Sequence, residues 1–379
     1  MTEINLSEIK EIKVLFLHLA CSGASYYRIV QFANEMANVQ GIYPIYPKFD
    51  PIDNDVNARS YEMCPEAHTA ELNSLFSIAD IVVCQAIRSL KFLTALRMYK
   101  DLYKFILVME SDDDPFHIDS DHYSARNIGV GTQIEKNSFD QIRLSDYAIV
   151  STEYLARLFR NYKKDVYVMP NAIDLEKWKI PVKAPESGKI TLGWSGASGH
   201  EKDMKIVKDV LVQLLNTYPN LYVKFLHGPE KFINHERFKN ELVWTQIDEY
   251  PSKLASMGFD IAIAPLWDNE FNRAKSNLRY LEYSALGIPT VASNVEPYAK
   301  TIEDGKDGFL VLNSEKKWFD KISELIYNTE LRSTFAQNAF KKVNDYYSLK
   351  IVTQKYADLL KEMYSKKVSD NVHLPANPK

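Results

Sequence analysis

Arg273, Lys275, Arg279 and Glu282 crowd one short stretch of the sequence. Cations at the start of a helix, together with its unpaired backbone N–H groups, make a site for phosphate. A helix is expected from about Ser276: Leu278, Leu281 and Ala285 supply its inward positions, and Gly287 stops it ahead of Pro289. On that helix Lys275, Arg279 and Glu282, spaced by four and then three, share one face. The cations and the N–H groups around Asn277 and Leu278 would hold a diphosphate, and Glu282 would accept from ribose hydroxyls. A surface i,i+3 ion pair between Arg279 and Glu282 accounts for the same spacing.

Three other places carry chemistry. The run ITLGWSGASGHEKD, from Ile190 to Asp203, is a strand followed by a glycine loop. Its Gly193, Gly196 and Gly199 would let backbone N–H groups, with Ser198 and Lys202, approach phosphate oxygens. A plain turn is the other reading of such a loop. The segment SGASYYR after the first strand offers Gly23, Tyr27 and Arg28, in a tight turn that opens a helix. The run MESDDDPFH, from Met109 to His117, places three carboxylates in a row, which is costly unless they are solvated or paired. Its Asp112 and Asp114 have the spacing of a divalent-cation pair, although a solvated acidic loop fits equally well. His18, at the end of the first strand, reads as a packed core histidine.

These residues need a scaffold, and the apolar runs supply one. Lys13 to Ala20, Ile42 to Pro47, Ile81 to Cys84, Phe105 to Met109, Asp146 to Ser151 and Val166 to Met169 are strand-like. Helices are expected near Leu90 to Met98 and Glu153 to Arg160 between them. This alternation predicts a doubly wound parallel sheet. The polar, proline-rich Pro170 to Pro185 reads as a junction. A second α/β series follows, with strands at Lys189 to Trp194, Leu221 to Leu226, Val243 to Gln246, Ile261 to Pro265 and Pro289 to Ser293, and a helix over Met204 to Leu215. Lys316 to Tyr364 is largely helical, Met1 to Glu11 a loose lead-in, and the residues past Val368 a disordered tail. The loop after Ile261 to Pro265 then lies at the carboxyl edge of a parallel sheet, where open α/β proteins bind ligands.

A chain of 379 residues accommodates two domains. Its net charge of -4 argues against a general nucleic-acid-binding role. No apolar run near the start is long enough for a signal peptide or a membrane span. Cys21, Cys64 and Cys84 are odd in number and lack metal-ligand spacing, which fits a reducing, cytoplasmic setting. The 23 tyrosines suit stacking on sugars or bases and equally suit half-buried packing.

The run NLRYLEYSALGIPTVASNVEPYAKTIEDGKDGFLV resembles the C-terminal signature of retaining GT-B glycosyltransferases of family 4. The resemblance is strong over Ile190 to Leu312 and weaker before Val150. It implies a GT-B fold: two Rossmann-like doubly wound α/β domains facing across a cleft. Residues 1–175 would form the acceptor-side domain and 176–345 the nucleotide-sugar domain. Residues 346–379 would be a last helix crossing back to the first domain, with its tail. PNAIDLEKW resembles the family's segment at the domain junction, and Lys202 matches a Lys of its phosphate loop.

By resemblance Glu282 binds the ribose of the donor nucleotide. The family's other Glu, which holds the donor sugar, falls on Ala274. Arg273-Ala274-Lys275 fits a subgroup with Arg-small-Lys there, and Glu270 or Asp268 stands near enough to substitute. Lys275 and Arg273 would stabilise the departing diphosphate. Gly23 would face the donor from the first domain, His117 would lie near the reacting sugar, and Glu110, Asp112 and Asp113 would line the acceptor side. The nucleobase would pack near Trp244, Ile247 and Tyr250.

The activity implied is metal-independent transfer, with retention, of a hexosyl group from a UDP- or GDP-sugar to a glycan or lipid-linked acceptor, as in polysaccharide biosynthesis. No further cofactor is implied. Arg157, Arg160, Lys163 and Lys164 suit either peripheral contact with the inner face of a membrane or a solvated helix face. Three alternatives stay open: a metal-dependent transferase using Asp112 and Asp114, as in GT-A enzymes; a sugar-nucleotide epimerase; and a non-catalytic sugar-binding GT-B protein.

Overall fold

The computed structural model describes residues 11–18, 23–47, 61–118, 131–181, 188–196, 200–243 and 245–372. The lead-in up to residue 10, Cys21, Ser198, Gly199, Trp244, the end of the junction from residue 182 and the tail after Val372 lie outside the described residues. Contacts divide the chain into two units. One holds the described residues up to Ile118, those from 131 to Pro170 and those from Leu349 on; the other holds Asn171–Ser348.

The first unit is built on β1 (Ile12–Leu17), β2 (Ile42–Ile45), β3 (Ile81–Gln85), β4 (Ile106–Ser111), β5 (Tyr147–Val150) and β6 (Val166–Val168), in the order β2-β1-β3-β4-β5-β6. Every pairing in it is parallel. The central strands β3 and β4 are apolar as far as Cys84 and Met109 because helices cover both faces of a parallel sheet. The Leu349–Val372 helix completes this unit. Its Tyr356 packs edge-on against Phe16 and Phe32, with ring centroids 6.3 and 5.3 Å away.

The second unit carries β7 (Ile190–Ser195), β8 (Leu221–Leu226), β9 (Phe238–Glu241), β10 (Ile261–Ala264), β11 (Thr290–Ser293) and β12 (Phe309–Val311), in the order β12-β11-β10-β7-β8-β9. These strands are also all parallel. Trp194, Phe225, Trp318 and the buried face of the Lys208–Thr217 helix fill the core. Among the described residues no helix is long and apolar enough to cross a membrane.

Three expectations about elements need correction. The described residues of the strand expected at Val243 to Gln246 form none: β9 is FKNE, Phe238–Glu241, which ends five residues before Gln246. An edge strand has one neighbour and little cover, so it needs no apolar run. Asn240 holds it, bonding the backbone N–H and C=O of Gly228, each at 3.0 Å. The helix expected over Met204 to Leu215 is two helices, Glu201–Lys205 and Lys208–Thr217. The last helix continues past both Tyr364 and Val368, to Val372.

Candidate functional site

In the second unit the chain leaves β7 toward β8 on one side and, after β9, crosses to β10 on the other. The adjacent carboxyl ends of β7 and β10 therefore form a topological switch point, where open α/β sheets leave room for a ligand. Ser195 ends β7, and Gly196 follows it.

The Leu278–Ala285 helix brings its side chains to this edge. Arg279 donates from Nε to the carbonyl oxygen of Ser195 at 2.8 Å, and its guanidinium lies 5.1 Å from the centroid of the Trp194 ring. Burial opposes its charge, but Tyr298, Tyr283, Tyr250 and Asp203 outweigh that effect, and its pKa is raised. Glu282, one turn on, is 7% exposed, and the Tyr250 hydroxyl lies 3.3 Å from its Oε2 and 3.0 Å from the Ser195 Oγ. The Tyr283 hydroxyl accepts from the Ser195 backbone N–H at 2.8 Å. Burial, with the charge of Glu282 beside it, pushes the Tyr250 phenol far up; burial also takes Tyr283 to about 12 against the pull of Arg279. Both phenols keep their protons at neutral pH. Arg279 and Glu282 are thus no surface ion pair. They sit on one helical face, turned to the switch point.

Lys275 is a correction. It caps the C-terminus of a separate short helix, Glu270–Ala274, so it does not continue the Arg279–Glu282 face. Its Nζ lies 4.3 Å from the centroid of the Phe271 ring. It still reaches the site's electrostatics, because its charge acts on His200. Arg273 turns away: it forms a two-point ion pair with Asp268, at 2.6 and 3.1 Å, on the surface. Glu270 is exposed in the first turn of the same helix, and Ala274 is buried. Asn277 precedes the Leu278–Ala285 helix and donates from its side chain to Thr301 Oγ1 at 2.9 Å, and Leu278 is half-buried.

The glycines have packing reasons. A Cβ on Gly193 would lie 2.1 Å from the Phe259 ring, so this glycine serves the sheet and not a phosphate. A Cβ on Gly196 would stand 2.3 Å from Trp194 and 2.9 Å from the Arg279 guanidinium, which makes its absence a condition for seating Arg279. Lys202 is exposed on the Glu201–Lys205 helix.

Four site residues escaped the sequence reading: Ser195, Tyr283, His200 and Asp203. Asp203 is buried; it accepts from the backbone N–H of Trp267 at 2.7 Å and from Asn272 at 3.0 Å, and pairs with His200 at 2.7 Å. A signal for Tyr283 existed, since it stands one helical turn after Arg279.

In the first unit Gly23 opens a short helical turn, and a Cβ there would meet nothing within 4 Å. Arg28 and Glu110 form a fully buried ion pair at 2.5 Å, and Arg28 also donates to the carbonyl oxygen of Met169 at 2.7 Å. Glu110 is therefore not a lining residue. Asp114 is buried and accepts from the Phe116 N–H at 2.8 Å and from His117 Nδ1 at 2.7 Å. With both its oxygens bonded inside the loop, it is not half of an open D-x-D pair. His117 is held by that bond with 39% of its side chain exposed. Among the described residues no cluster of three or more His, Cys, Asp or Glu side chains is placed to hold a metal ion.

Residues 278–342, which begin at this helix, match the family model of the glycosyl transferases group 1. The stretch that starts with the Arg279 and Glu282 helix is thus similar to the group 1 glycosyltransferases. One stretch is 32% identical over 91 residues to the capsular polysaccharide biosynthesis glycosyltransferase CapM of Staphylococcus aureus, covering 23% of this chain and 24% of CapM. The matched stretch thus spans about a quarter of that relative's length. The structure of Anabaena HepE in complex with UDP and glucose superposes with a TM-score of 0.64 at 14% identity, over 93% of this chain and 100% of that one. Sucrose-phosphate synthase from Thermosynechococcus elongatus superposes with a TM-score of 0.68 at 13% identity, over 94% and 100%. The fold of the chain is GT-B, as in these two structures.

Proposed function

We propose that the chain is a glycosyltransferase that takes a sugar from a nucleoside diphosphate sugar and delivers it, with retained configuration, to an acceptor hydroxyl. The observation that carries this reading is the convergence at one switch point of a buried carboxylate, a half-buried guanidinium and the carboxyl end of a parallel strand. Glu282, held by Tyr250, accepts from the ribose hydroxyls. Arg279, with Lys275 beside the same site, faces the diphosphate together with the first N–H groups of the Leu278–Ala285 helix. Their positive charge stabilises the diphosphate as the bond from the anomeric carbon to its phosphate oxygen breaks and negative charge grows there. The acceptor oxygen bonds to that carbon on the same face, and its proton passes to the departing phosphate. With protein cations supplying this stabilisation, transfer requires no metal ion. CapM acts in capsular polysaccharide biosynthesis by its name, and a glycan acceptor suits this chain by the same likeness.

The test is a thermal-shift screen with UDP, GDP, dTDP and ADP, each with and without magnesium. One nucleotide is expected to raise the midpoint by several degrees, equally in both conditions, because a ligand at about 100 times its Kd adds about 2.7 kcal/mol. No shift with any nucleotide would overturn the reading, and a shift only with magnesium would overturn metal independence. Ala274 favours a second reading, because no carboxylate stands at the position that holds the donor sugar in the resembled family. A protein that binds nucleotide sugar without turnover would then show the thermal shift but release no nucleoside diphosphate with any acceptor.

A further inference from the structure

His200 stands just before the Glu201–Lys205 helix, and the transfer described above makes no use of it. Its Nδ1 is 2.7 Å from Oδ2 of Asp203. Asp203 cannot swing, because its other oxygen is fixed by the Trp267 N–H and by Asn272. That bond places a proton on Nδ1 and leaves Nε2 for something else, in a ring that keeps 18% of its surface exposed. The imidazole meets the Trp194 ring edge to face at 6.2 Å, and Arg279 lies against that same indole at 5.1 Å. So His200 and Arg279 stand on one aromatic platform at the switch point. We propose that the Asp203–His200 pair is a further part of the diphosphate site: His200 takes up a proton from solvent on Nε2 as the diphosphate arrives, and the imidazolium donates a hydrogen bond from that N–H to a phosphate oxygen. The inference rests on the nucleotide-sugar reading above.

The electrostatics support this step. Without a ligand, burial and the nearby charges of Arg279 and Lys275 pull the His200 pKa down to about 4, against a partial upward push from Asp203. The ring is neutral at pH 6 in the empty site. A diphosphate between the same cations reverses the sign of the local field and restores the imidazolium. A carboxylate-backed imidazole is well suited to this exchange, because Asp203 stabilises the charged form once the repulsion has been cancelled.

The test is calorimetric titration of the full chain with UDP-glucose, or with whichever of ADP-, GDP- and dTDP-glucose binds. Titration is carried out at pH 5.5 in cacodylate and in Bis-Tris, buffers with different enthalpies of ionisation. Nucleotide sugars have no phosphate group titrating near this pH, so proton uptake belongs to the protein. An uptake approaching one proton per ligand is expected. Affinity should also rise about tenfold from pH 7.5 to 5.5 if the ligand restores an ordinary histidine pKa. His200→Gln should abolish the uptake, with its fold checked by circular dichroism. The histidine nitrogen shifts of the wild-type protein, with and without ligand, test the same step without any variant. Binding with no proton uptake would overturn the inference while leaving the nucleotide-sugar reading intact; no binding of any nucleotide sugar would overturn both.

Discussion

A carboxylate that is to accept from a sugar hydroxyl must be oriented before the ligand arrives, or ordering it is charged against the affinity. Glu282 meets this condition through Tyr250, whose hydroxyl stands between Ser195 and the carboxylate. Glu282→Ala is expected to weaken nucleotide binding by roughly 1.5–3 kcal/mol, as for a hydrogen bond to a charged group. Tyr250→Phe removes only the orienting hydroxyl and is expected to cost about 0.5–1.5 kcal/mol. Calorimetry of both variants decides the point. Unchanged affinity for Glu282→Ala removes the carboxylate from the site, and a larger loss for Tyr250→Phe would assign the ligand contact to the phenol. Arg279 shows the same economy, since its Nε is fixed on a backbone oxygen and its charge remains for the ligand.

The helix that carries these groups has a marked end. Gly287 takes φ +66°, its N–H donates to the Ser284 carbonyl at 3.0 Å, and the Ile288 N–H reaches the Tyr283 carbonyl at 2.9 Å. That pair of bonds closes the helix and turns the chain into β11, so the C-terminal end of the helix is fixed relative to the sheet. A Cβ on Gly287 would meet nothing within 4 Å, so Gly287→Ala carries only the backbone cost of a left-handed residue. Stability should fall by about 1–2 kcal/mol. Urea unfolding would show the fall as an earlier midpoint with an unchanged slope, and an unchanged midpoint would mean that the turn relaxes freely. The break between the Glu270–Ala274 and Leu278–Ala285 helices matters in the same way. A single helix would have put Lys275 on the Arg279 face, whereas the break lets the chain present Lys275 from a different direction.

At the scale of the whole molecule, the chain leaves its first unit after Pro170 and returns to it at Leu349. The returning helix buries Val352, Tyr356, Leu360 and Met363. Each such side chain contributes about 1.5–3 kcal/mol, so their sum is comparable to the 5–15 kcal/mol by which a domain is stable. A fragment ending at Pro170 is therefore expected not to fold by itself, and adding the segment from Leu349 onward as a separate peptide should restore it. Dispersed amide spectra from the fragment alone would refute this account of the core.

Much of the architecture could be read from single elements. Both faces of a central parallel strand are buried, so β1, β3, β4, β7 and β10 announce themselves as apolar runs whatever surrounds them. The edge strand β9, which is held by Asn240, carries no such signal and was misplaced. At the site, Arg279 and Glu282 were legible because one helix turn fixes their relation. Ser195 was not, since the hydrogen bond that joins it to Tyr283 spans 88 positions. Nor could the sequence show that Asp203 would hold His200 against the Trp194 platform, or that Arg273 would turn to Asp268. Burial acts locally and leaves a periodic trace in the amino-acid order, whereas the meeting of distant side chains depends on strand order and sheet register, which only the folded chain sets.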